Sequence, residues 1–152
     1  MKTFLVVVDG SEEFLVALRY AARRAKGVKG RVALLRVVEQ QGIEPWRGVA
    51  RAVDDAAFDE ARKEMEPYEK IAFEITKKKP LVFFRKGERR NALLDLVDGQ
   101  PDLSALVLAA QTHDGGHYPL IQFLTSEKGL QKLRIPLIVI PDTLRVDLAM
   151  EP

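Results

Sequence analysis

The sequence predicts an α/β protein with one five-stranded parallel sheet and helices on both of its faces. Two observations predict this fold class. Five short apolar runs are continuous rather than alternating, as expected for strands that are buried on both faces. Amphipathic helical patterns separate these runs, and such alternation is typical of a doubly wound parallel sheet. The length of 152 residues suits a single domain with a substantial core.

The apolar runs are the predicted strands, and each is followed by a turn signal or by charged residues. They cover residues 4–8, 32–35, 81–84, 105–109 and 137–140. The second run continues through Arg36, Val37 and Val38. We therefore expect the end of that strand to reach water or an anion.

Apolar residues at three- and four-residue steps predict two helices in the first half of the chain. The first helix ends near Gly27, and its apolar face consists of Phe14, Leu18, Ala21, Ala22 and Ala25. The second helix is long, and its face consists of Phe58, Ala61, Met65, Tyr68, Ala72 and Ile75. Pro67 lies inside the second helix and is expected to bend or divide it.

Two further helices are predicted in the second half. A short helix presents Leu93, Leu94 and Val97 and is stopped by Gly99 and Pro101. Pro119 suits the first position of the next helix. That helix is expected to carry an apolar face, to include Leu130 and to be weakened by Gly129; the other residues of the face are Leu120, Ile121 and Leu124.

One long irregular stretch, residues 39–53, is predicted between the second strand and the second helix. It contains Pro45, Trp46 and Gly48. Loops of this length are often lids or binding loops. We expect one domain over residues 1–142, followed by a loosely held tail over residues 143–152.

Composition excludes several classes of protein. The 24 basic and 22 acidic side chains give a net charge of +2, which is too balanced to favour nucleic acid. There is no cysteine for disulfides, thiol chemistry or a cysteine-based zinc site. No apolar run reaches the roughly 18 residues of a membrane span, and the run before Asp9 is too short for a signal peptide. We expect a cytoplasmic protein with neither nucleic acid nor a membrane as partner.

Ligands of open α/β sheets bind beyond the carboxyl ends of the strands. Four segments follow the first four strands and are expected to converge on one crevice at that edge. They are Asp9-Gly10-Ser11, Val38 with residues 39–40, Arg85-Lys86-Gly87, and residues 109–118.

The Asp9-Gly10-Ser11 turn has two interpretations. Gly10 eases the turn, and either Ser11 or Asp9 caps the first helix. Asp9 is the better functional candidate, because its carboxylate can accept hydrogen bonds from a ribose or a base.

Basic residues around Gly87 have two interpretations as well. Arg85, Lys86, Arg89 and Arg90 form either a solvated group beside Glu88 or an anion site in which arginine holds phosphate. The run of residues 77–79, three lysines, is interpreted as a solvated helix end, where cations suit the dipole.

The loop after the fourth strand holds both histidines. His113, Asp114 and His117 can in principle bind a divalent metal, but their spacing matches no strong motif and no fourth ligand is present. We favour a solvated polar loop and expect no metal. The chain has no GxSxG elbow and no P-loop, and its third strand does not end in the aspartate of a phosphoacceptor. We therefore expect no catalytic residues.

Several segments resemble universal stress proteins. Residues 4–13 (FLVVVDGSEE), Ala17-Leu18 and residues 32–39 (VALLRVVE) are similar to the opening of that family. The likeness continues through Gly87 and through residues 106–108, 126–128 and 135–141. It implies a Rossmann-like sheet with strand order 3-2-1-4-5 and a homodimer paired through the last strand, from Leu137 to Ile140. Many members bind ATP.

The resemblance also implies a departure from the ATP-binding members, which carry Gly-x2-Gly-x9-Gly-Ser/Thr after the fourth strand. Ala109 and Thr112 stand where the first two glycines belong, and Gln122-Phe123 falls near the final Gly-Ser/Thr. Gly115 and Gly116 lie between them without the right register. The Cβ atoms of Ala109 and Thr112 block the approach of the backbone to phosphate.

Two functions remain open. The first is a non-catalytic small-ligand-binding or regulatory protein of the stress response. Such a protein either binds no ATP or binds a different small ligand, which is anionic. The alternative is a nucleotide-binding protein for ATP or AMP with slow or no hydrolysis. Apart from weakly bound ATP or AMP, no cofactor is expected. By resemblance, Asp9 and Val38 match positions that contact the adenosine half. The candidate ligand-binding residues are Asp9, Gly10, Ser11, Val38, Arg85, Gly87, Ala109, Thr112, Gly115 and Gly116.

Overall fold

A computed structural model describes residues 1–38 and 47–145, and for residues 47–54 it describes the backbone alone. The strands are β1 (Thr3–Val8), β2 (Arg31–Val38), β3 (Leu81–Lys86), β4 (Leu103–Ala110) and β5 (Leu137–Pro141). The helices are α1 (Glu12–Gly27), α2 (Arg47–Thr76), α3 (Arg89–Gly99), α4 (Pro119–Leu124) and α5 (Glu127–Lys132).

All five strands form one sheet in the order β3-β2-β1-β4-β5. Every neighbouring pair is parallel. The central strand is β1, where Val6 pairs with Leu34 on one side and with Val107 on the other. The predicted parallel sheet and its 3-2-1-4-5 order are confirmed.

Two apolar layers enclose the sheet. Val6 faces the layer that contains α1 and α2, while Leu5 and Val7 face the layer that contains α3 and α4. All six residues of β1 are buried. The three inner strands, β1, β2 and β4, are therefore mostly covered on both faces, as the sequence predicts. The edge strands β3 and β5 are only partly buried, so the prediction of full burial is wrong for them.

The first and third helices form as predicted. The five apolar residues predicted for the inner face of α1 are all buried, and so are Leu93, Leu94 and Val97 on α3. At the other end of the chain Pro119 occupies the first turn of α4, also as predicted.

The second helix differs from the prediction at two points. It continues past Pro67 without being divided, since the proline removes only one backbone hydrogen bond while Met65 and Ala72 on either side are buried. It also begins at Arg47, so the irregular stretch predicted up to residue 53 is wrong for residues 47–53. Arginine and alanine favour helix there and outweigh Gly48. Residues 39–46 of that stretch lie outside the described residues.

The predicted fourth helix is two short helices. Ser126 interrupts it, because its hydroxyl accepts a hydrogen bond from the Gly129 amide at 3.1 Å and caps α5. Leu130 is 56% exposed, so its predicted place on the buried face is wrong. Leu124 is fully buried, as predicted.

The end of the described chain is a turn after β5. The Leu144 amide donates to the Pro141 carbonyl at 3.0 Å, and the Leu144 side chain packs against the α1 side of the core. Residues 146–152 of the predicted tail lie outside the described residues. In the part of the chain that is described, no helix has the length and hydropathy needed to cross a membrane.

Candidate functional site

The candidate site lies at the carboxyl edge of the sheet, between β1 and β4. The chain leaves β1 toward β2 and later crosses to β4 on the other side, so the loops after β1 and β4 run in opposite directions. Such a switch point opens a crevice in a parallel sheet. The crevice is flanked by the turn of Asp9, Gly10 and Ser11 and by the loop of residues 111–118.

Asp9 and Ser11 build the first wall of the crevice. Gly10 has a φ of +77°, which glycine adopts without strain. The Ser11 hydroxyl accepts from the Phe14 amide at 3.3 Å and caps α1, which agrees with the structural interpretation of Ser11. Asp9 Oδ1 accepts from the Ser11 amide at 2.9 Å and from the Ser11 hydroxyl. Asp9 Oδ2 accepts no hydrogen bond from the described residues, so the exposed carboxylate retains a free acceptor.

A backbone hydrogen bond joins the carboxyl ends of β2 and β3. The Gly87 amide donates to the Val38 carbonyl at 3.1 Å, and Gly87 has a φ of +121°. Val38 is half-buried and lies one strand from Asp9. Arg85 is two strands from β1, which is about 10 Å across the sheet.

Two arginines of this edge, Arg85 and Arg90, are held by contacts within the protein. The Arg85 guanidinium donates to the Phe84 carbonyl at 2.8 Å and lies 5.5 Å from the centre of the Phe83 ring. Arg90 pairs with Glu88 at 2.9 Å and lies 4.7 Å from the centre of the Phe123 ring. Arg90 thus ties α3 to α4. Both guanidinium groups therefore already have partners within the protein.

The loop after β4 is fixed to the end of β5 by Asp142. The side chain of Asp142 is only 9% exposed. Its Oδ1 accepts from the Thr112 amide at 3.1 Å and from the Thr112 hydroxyl. Its Oδ2 lies 3.0 Å from Nδ1 of His113, and its own amide donates to the Ala110 carbonyl at 2.9 Å. We call this set of contacts the Asp142 latch.

Gln111 extends the latch along the loop. Its Oε1 accepts from the His117 amide at 3.1 Å, and its Nε2 lies 3.2 Å from Nε2 of His113. The Gln111 amide nitrogen can only donate, so the neutral imidazole accepts at Nε2 and carries its proton on Nδ1. That proton is directed at Asp142. Gln111 therefore orients the imidazole of His113, and His113 in turn donates to Asp142.

The latch lowers the pKa of Asp142 below its ordinary value of 3.8. The largest cause is the hydrogen bond from the Thr112 hydroxyl, and the Thr112 amide and His113 act in the same direction. Burial opposes them by penalising the charged form. Asp142 is thus held as a carboxylate at neutral pH.

Gly115 and Gly116 turn the loop. Their φ angles are +81° and +71°, and Asp114 before them has +52°. The Gly116 amide donates to the His113 carbonyl at 3.0 Å, and a Cβ on Gly116 would lie 3.1 Å from the Gln111 carbonyl oxygen. In this structure these glycines close the turn that carries His113.

Asp142 is the residue that sequence reasoning missed. The available signal was its position directly after the fifth strand, at the same edge as the other candidates. His113 is accordingly more than a solvated loop residue, since it contacts Asp142 and Gln111. Among the described residues there is no group of three or more His, Asp or Glu side chains placed to hold a metal ion.

We expect Asp142→Asn to loosen the loop after β4. The asparagine amide group would oppose the His113 Nδ1 proton, and the charge that attracts both Thr112 donors would be lost. Amide hydrogen exchange at pH 7 is expected to be faster at Thr112 than in the wild type. The midpoint of thermal unfolding is expected to fall.

The stabilisation of the fold by the Asp142 latch is expected to depend on pH. A lowered pKa in the folded state means that the latch stabilises the fold at neutral pH and is lost as pH falls through that pKa, below 3.8. Asp142→Asn should remove this part of the acid dependence. The control is Asp114→Asn, at a neighbouring side chain that is 88% exposed. Equal Thr112 exchange in the wild type and Asp142→Asn would contradict the latch.

Comparisons with known proteins agree on one family. The model of the universal stress protein family matches residues 1–141. No curated protein sequence matches the chain. Solved structures that share its fold include a universal stress protein from Lactobacillus plantarum, with a TM-score of 0.73 and 18% identity over 91% of this chain and 97% of that one.

Two other structures of similar fold contain nucleotides. A universal stress protein from Archaeoglobus fulgidus in complex with dAMP has a TM-score of 0.63 and 17% identity, over 92% of this chain and 98% of that one. A universal stress protein in complex with cAMP has a TM-score of 0.62 and 14% identity, over 91% and 96%. At these identities the likeness establishes the fold. Since the family model spans all five strands and both walls of the crevice, the chain belongs to the universal stress protein family.

Proposed function

We propose that this protein is a non-catalytic binding or regulatory protein of the stress response, which holds a small anionic ligand between the turn of Asp9 and the loop after β4. It binds ATP weakly or not at all. Asp9 receives the uncharged, hydroxyl-bearing half of the ligand, and residues of the loop receive the charged half. We also propose a cytoplasmic location for it.

The Asp142 latch is the observation that carries this proposal. A phosphate-binding loop needs free backbone amides and room for the ligand to approach them. Here the Thr112 amide already donates to Asp142, and the carboxylate occupies the side on which an anion would bind. Ala109 and Thr112 also stand where the ATP-binding pattern has glycine. The latch must open, or a smaller anion must use other donors, before a phosphate chain can be held.

The alternative function is nucleotide binding, to ATP or AMP, with slow or no hydrolysis. Two observations favour it. Relatives of similar fold are seen with dAMP and cAMP, which carry a single phosphate. The first wall of the crevice is intact in this chain, because Asp9 keeps a free acceptor and Val38 lies one strand away. A nucleoside monophosphate requires fewer free amides than ATP does.

We also propose that two copies pair through β5. β3 and β5 are the edge strands, and they differ in how they are protected. β3 ends in Arg85 and Lys86, and charged residues discourage pairing between edges. β5 has no charged residue, and its Val139 is 44% exposed. A two-fold axis beside β5 would pair the β5 strands of two copies, so that each copy covers the β5 edge of the other.

Calorimetric titration with ATP, ADP and AMP, with and without magnesium, tests the ligand proposal. We expect no low-micromolar affinity for ATP. For any nucleotide that does bind, Asp9→Ala is expected to weaken binding by about ten- to a hundredfold, since a hydrogen bond to a charged group contributes roughly 1.5–3 kcal/mol. Low-micromolar affinity of the wild type for ATP would refute the main proposal and support the alternative.

Two further variants sharpen this titration. Asp9→Asn keeps an oxygen for the Ser11 amide, so it separates damage to the turn from loss of the ligand's acceptor. Arg85→Ala combined with Arg89→Ala tests whether the arginines of the β3 edge hold the anion. Because the Arg85 guanidinium is held by the Phe84 carbonyl and β3 lies two strands from β1, we expect affinity and its salt dependence to change little. A large loss of both would restore the anion site that the sequence suggests.

A further inference from the structure

The opposite edge of the sheet, at the amino ends of the strands, carries a concentration of positive charge. Residues 1–2, 26–31 and 77–80 form it, and we call these three segments the basic patch. They contain no Asp or Glu, and their cationic residues are Lys2, Lys26, Lys29, Arg31, Lys77, Lys78 and Lys79. In a chain of 24 basic and 22 acidic side chains, this is a strong local excess.

Backbone contacts hold the three segments together. The Arg31 amide donates to the Lys2 carbonyl at 2.9 Å, and Gly30 packs so closely on Lys2 that a Cβ would collide with that carbonyl. The Lys78 ammonium donates to the carbonyls of Lys29 and Gly30. The ends of α1 and α2 are thereby fixed side by side, although residues 29 and 78 are far apart in sequence.

Most of the patch's charge is not used within the protein. Lys78 joins the segments, and Arg31 donates to the Thr3 hydroxyl at 3.3 Å. The other five ammonium groups are exposed and make no hydrogen bond or ion pair with the residues that the structure describes; they belong to Lys2, Lys26, Lys29, Lys77 and Lys79. Two helix carboxyl ends present only about one negative charge between them. Five free ammonium groups exceed what those dipoles need.

Apolar side chains are exposed among these cations. Met1 is 70% exposed, Val28 45% and Phe73 47%, and they are three of the five large apolar residues exposed in the described structure. Val28 lies between Lys26 and Lys29. Phe73 is one helical turn before Lys77, whose amide donates to the Phe73 carbonyl at 2.8 Å. The patch therefore combines free ammonium groups with apolar side chains that have no partner in the core.

We propose that the basic patch binds an anionic membrane surface. Lysines near such a surface are attracted by the phosphates of the lipid headgroups. Exposed Phe, Val and Met side chains gain by entering the boundary between headgroups and acyl chains. The protein then lies on the membrane without crossing it. Its ligand crevice, at the opposite edge of the sheet, faces away from the lipid.

A membrane surface fits the patch better than nucleic acid does. Six of its seven cations are lysine, whereas arginine is the residue that recognises phosphodiester groups by paired hydrogen bonds. Met1 and Val28 would have no apolar partner on a duplex. This inference departs from the expectation, drawn from the sequence alone, that no membrane is a partner. The lysines of residues 77–79, interpreted from the sequence as a solvated helix end, also form part of the basic patch, because Lys78 contacts Lys29.

Vesicle sedimentation with the full chain tests the inference. We expect binding to vesicles of phosphatidylcholine mixed with phosphatidylglycerol, and none to phosphatidylcholine alone. High salt should release the protein. Since each lysine near an anionic surface contributes roughly fivefold in affinity, the combined variant Lys29→Gln, Lys77→Gln and Lys79→Gln should bind on the order of a hundredfold more weakly. Phe73→Ser should weaken binding while leaving its salt dependence unchanged.

The matched control removes the same charge elsewhere, through Lys63→Gln, Lys70→Gln and Lys128→Gln, all at exposed positions. It should bind as the wild type does. Unfolding midpoints of both triple variants are expected to match the wild type, because none of these ammonium groups has a partner among the residues that the structure describes. Three results would overturn the inference: equal binding to both kinds of vesicle, equal weakening by both triple variants, or tighter binding to duplex DNA than to anionic vesicles at the same salt.

Discussion

Gly129→Ala is expected to destabilise the protein more than the same change at the other helical glycines whose surroundings the structure describes, Gly27 and Gly99. Gly129 is buried in the first turn of α5, and a Cβ there would collide with the carbonyl oxygen of Phe123 and lie 2.8 Å from Cα of Leu124. These are backbone atoms, which no rotamer change can move aside. Overpacking costs about 1–3 kcal/mol, or more where backbone must shift. Thermal or denaturant unfolding should show a loss of this size, or a fall of roughly 2–12 °C in the midpoint.

The effect should be specific to the contact between α4 and α5. Gly27→Ala is the matched control, since Gly27 ends α1, has no positive φ and has nothing within 4 Å of the added methyl group. It should leave stability unchanged or raise it by about 0.5–1 kcal/mol, because alanine is the better helix residue. If Gly129→Ala proved as stable as Gly27→Ala, the close approach of α5 to α4 would be wrong.

Gly129 also shows where reading the sequence succeeds and where it stops. The strands of the sheet were predictable because runs such as residues 4–8 have no polar position that could face water. A glycine in an apolar helical pattern, by contrast, predicts only a weaker helix. Its true role depends on Phe123, six residues earlier in the chain, whose carbonyl is brought within reach only by the turn at Ser126.

The candidate site was predictable where the position of a residue depends only on its neighbours in sequence. Asp9 and Ser11 follow directly after a strand, so local rules place them at the carboxyl edge and identify Ser11 as a cap. Asp142 interacts with Thr112 across 30 residues of sequence, and Lys78 with Lys29 across 49. Such pairs depend on which strands and helices are neighbours. The order 3-2-1-4-5 came from the family resemblance, whereas these individual side-chain contacts required the structure.

Val139→Glu is expected to convert the proposed dimer, paired through β5, into a monomer. Val139 lies in the middle of the edge strand β5 and is 44% exposed, so pairing of two β5 strands would bring two copies of it close together. Glutamate there would place like charges on both sides of the two-fold axis and would desolvate them. Opposed like charges cost several kcal/mol, so the dissociation constant should rise by at least about a hundredfold. Light scattering at tens of micromolar should then give a mass near the 17.1 kDa of one chain.

The control for this variant is Val28→Glu. Val28 is 45% exposed, almost as much as Val139, but lies after α1 at the amino edge of the sheet. It should leave the protein a dimer of twice the 17.1 kDa chain mass, because an added charge alone does not separate the copies. A wild type that is monomeric at these concentrations would contradict pairing through β5. A dimer that survives Val139→Glu would place the interface elsewhere, and the apolar edge of β5 would then need another cover, since an uncharged edge strand invites uncontrolled pairing.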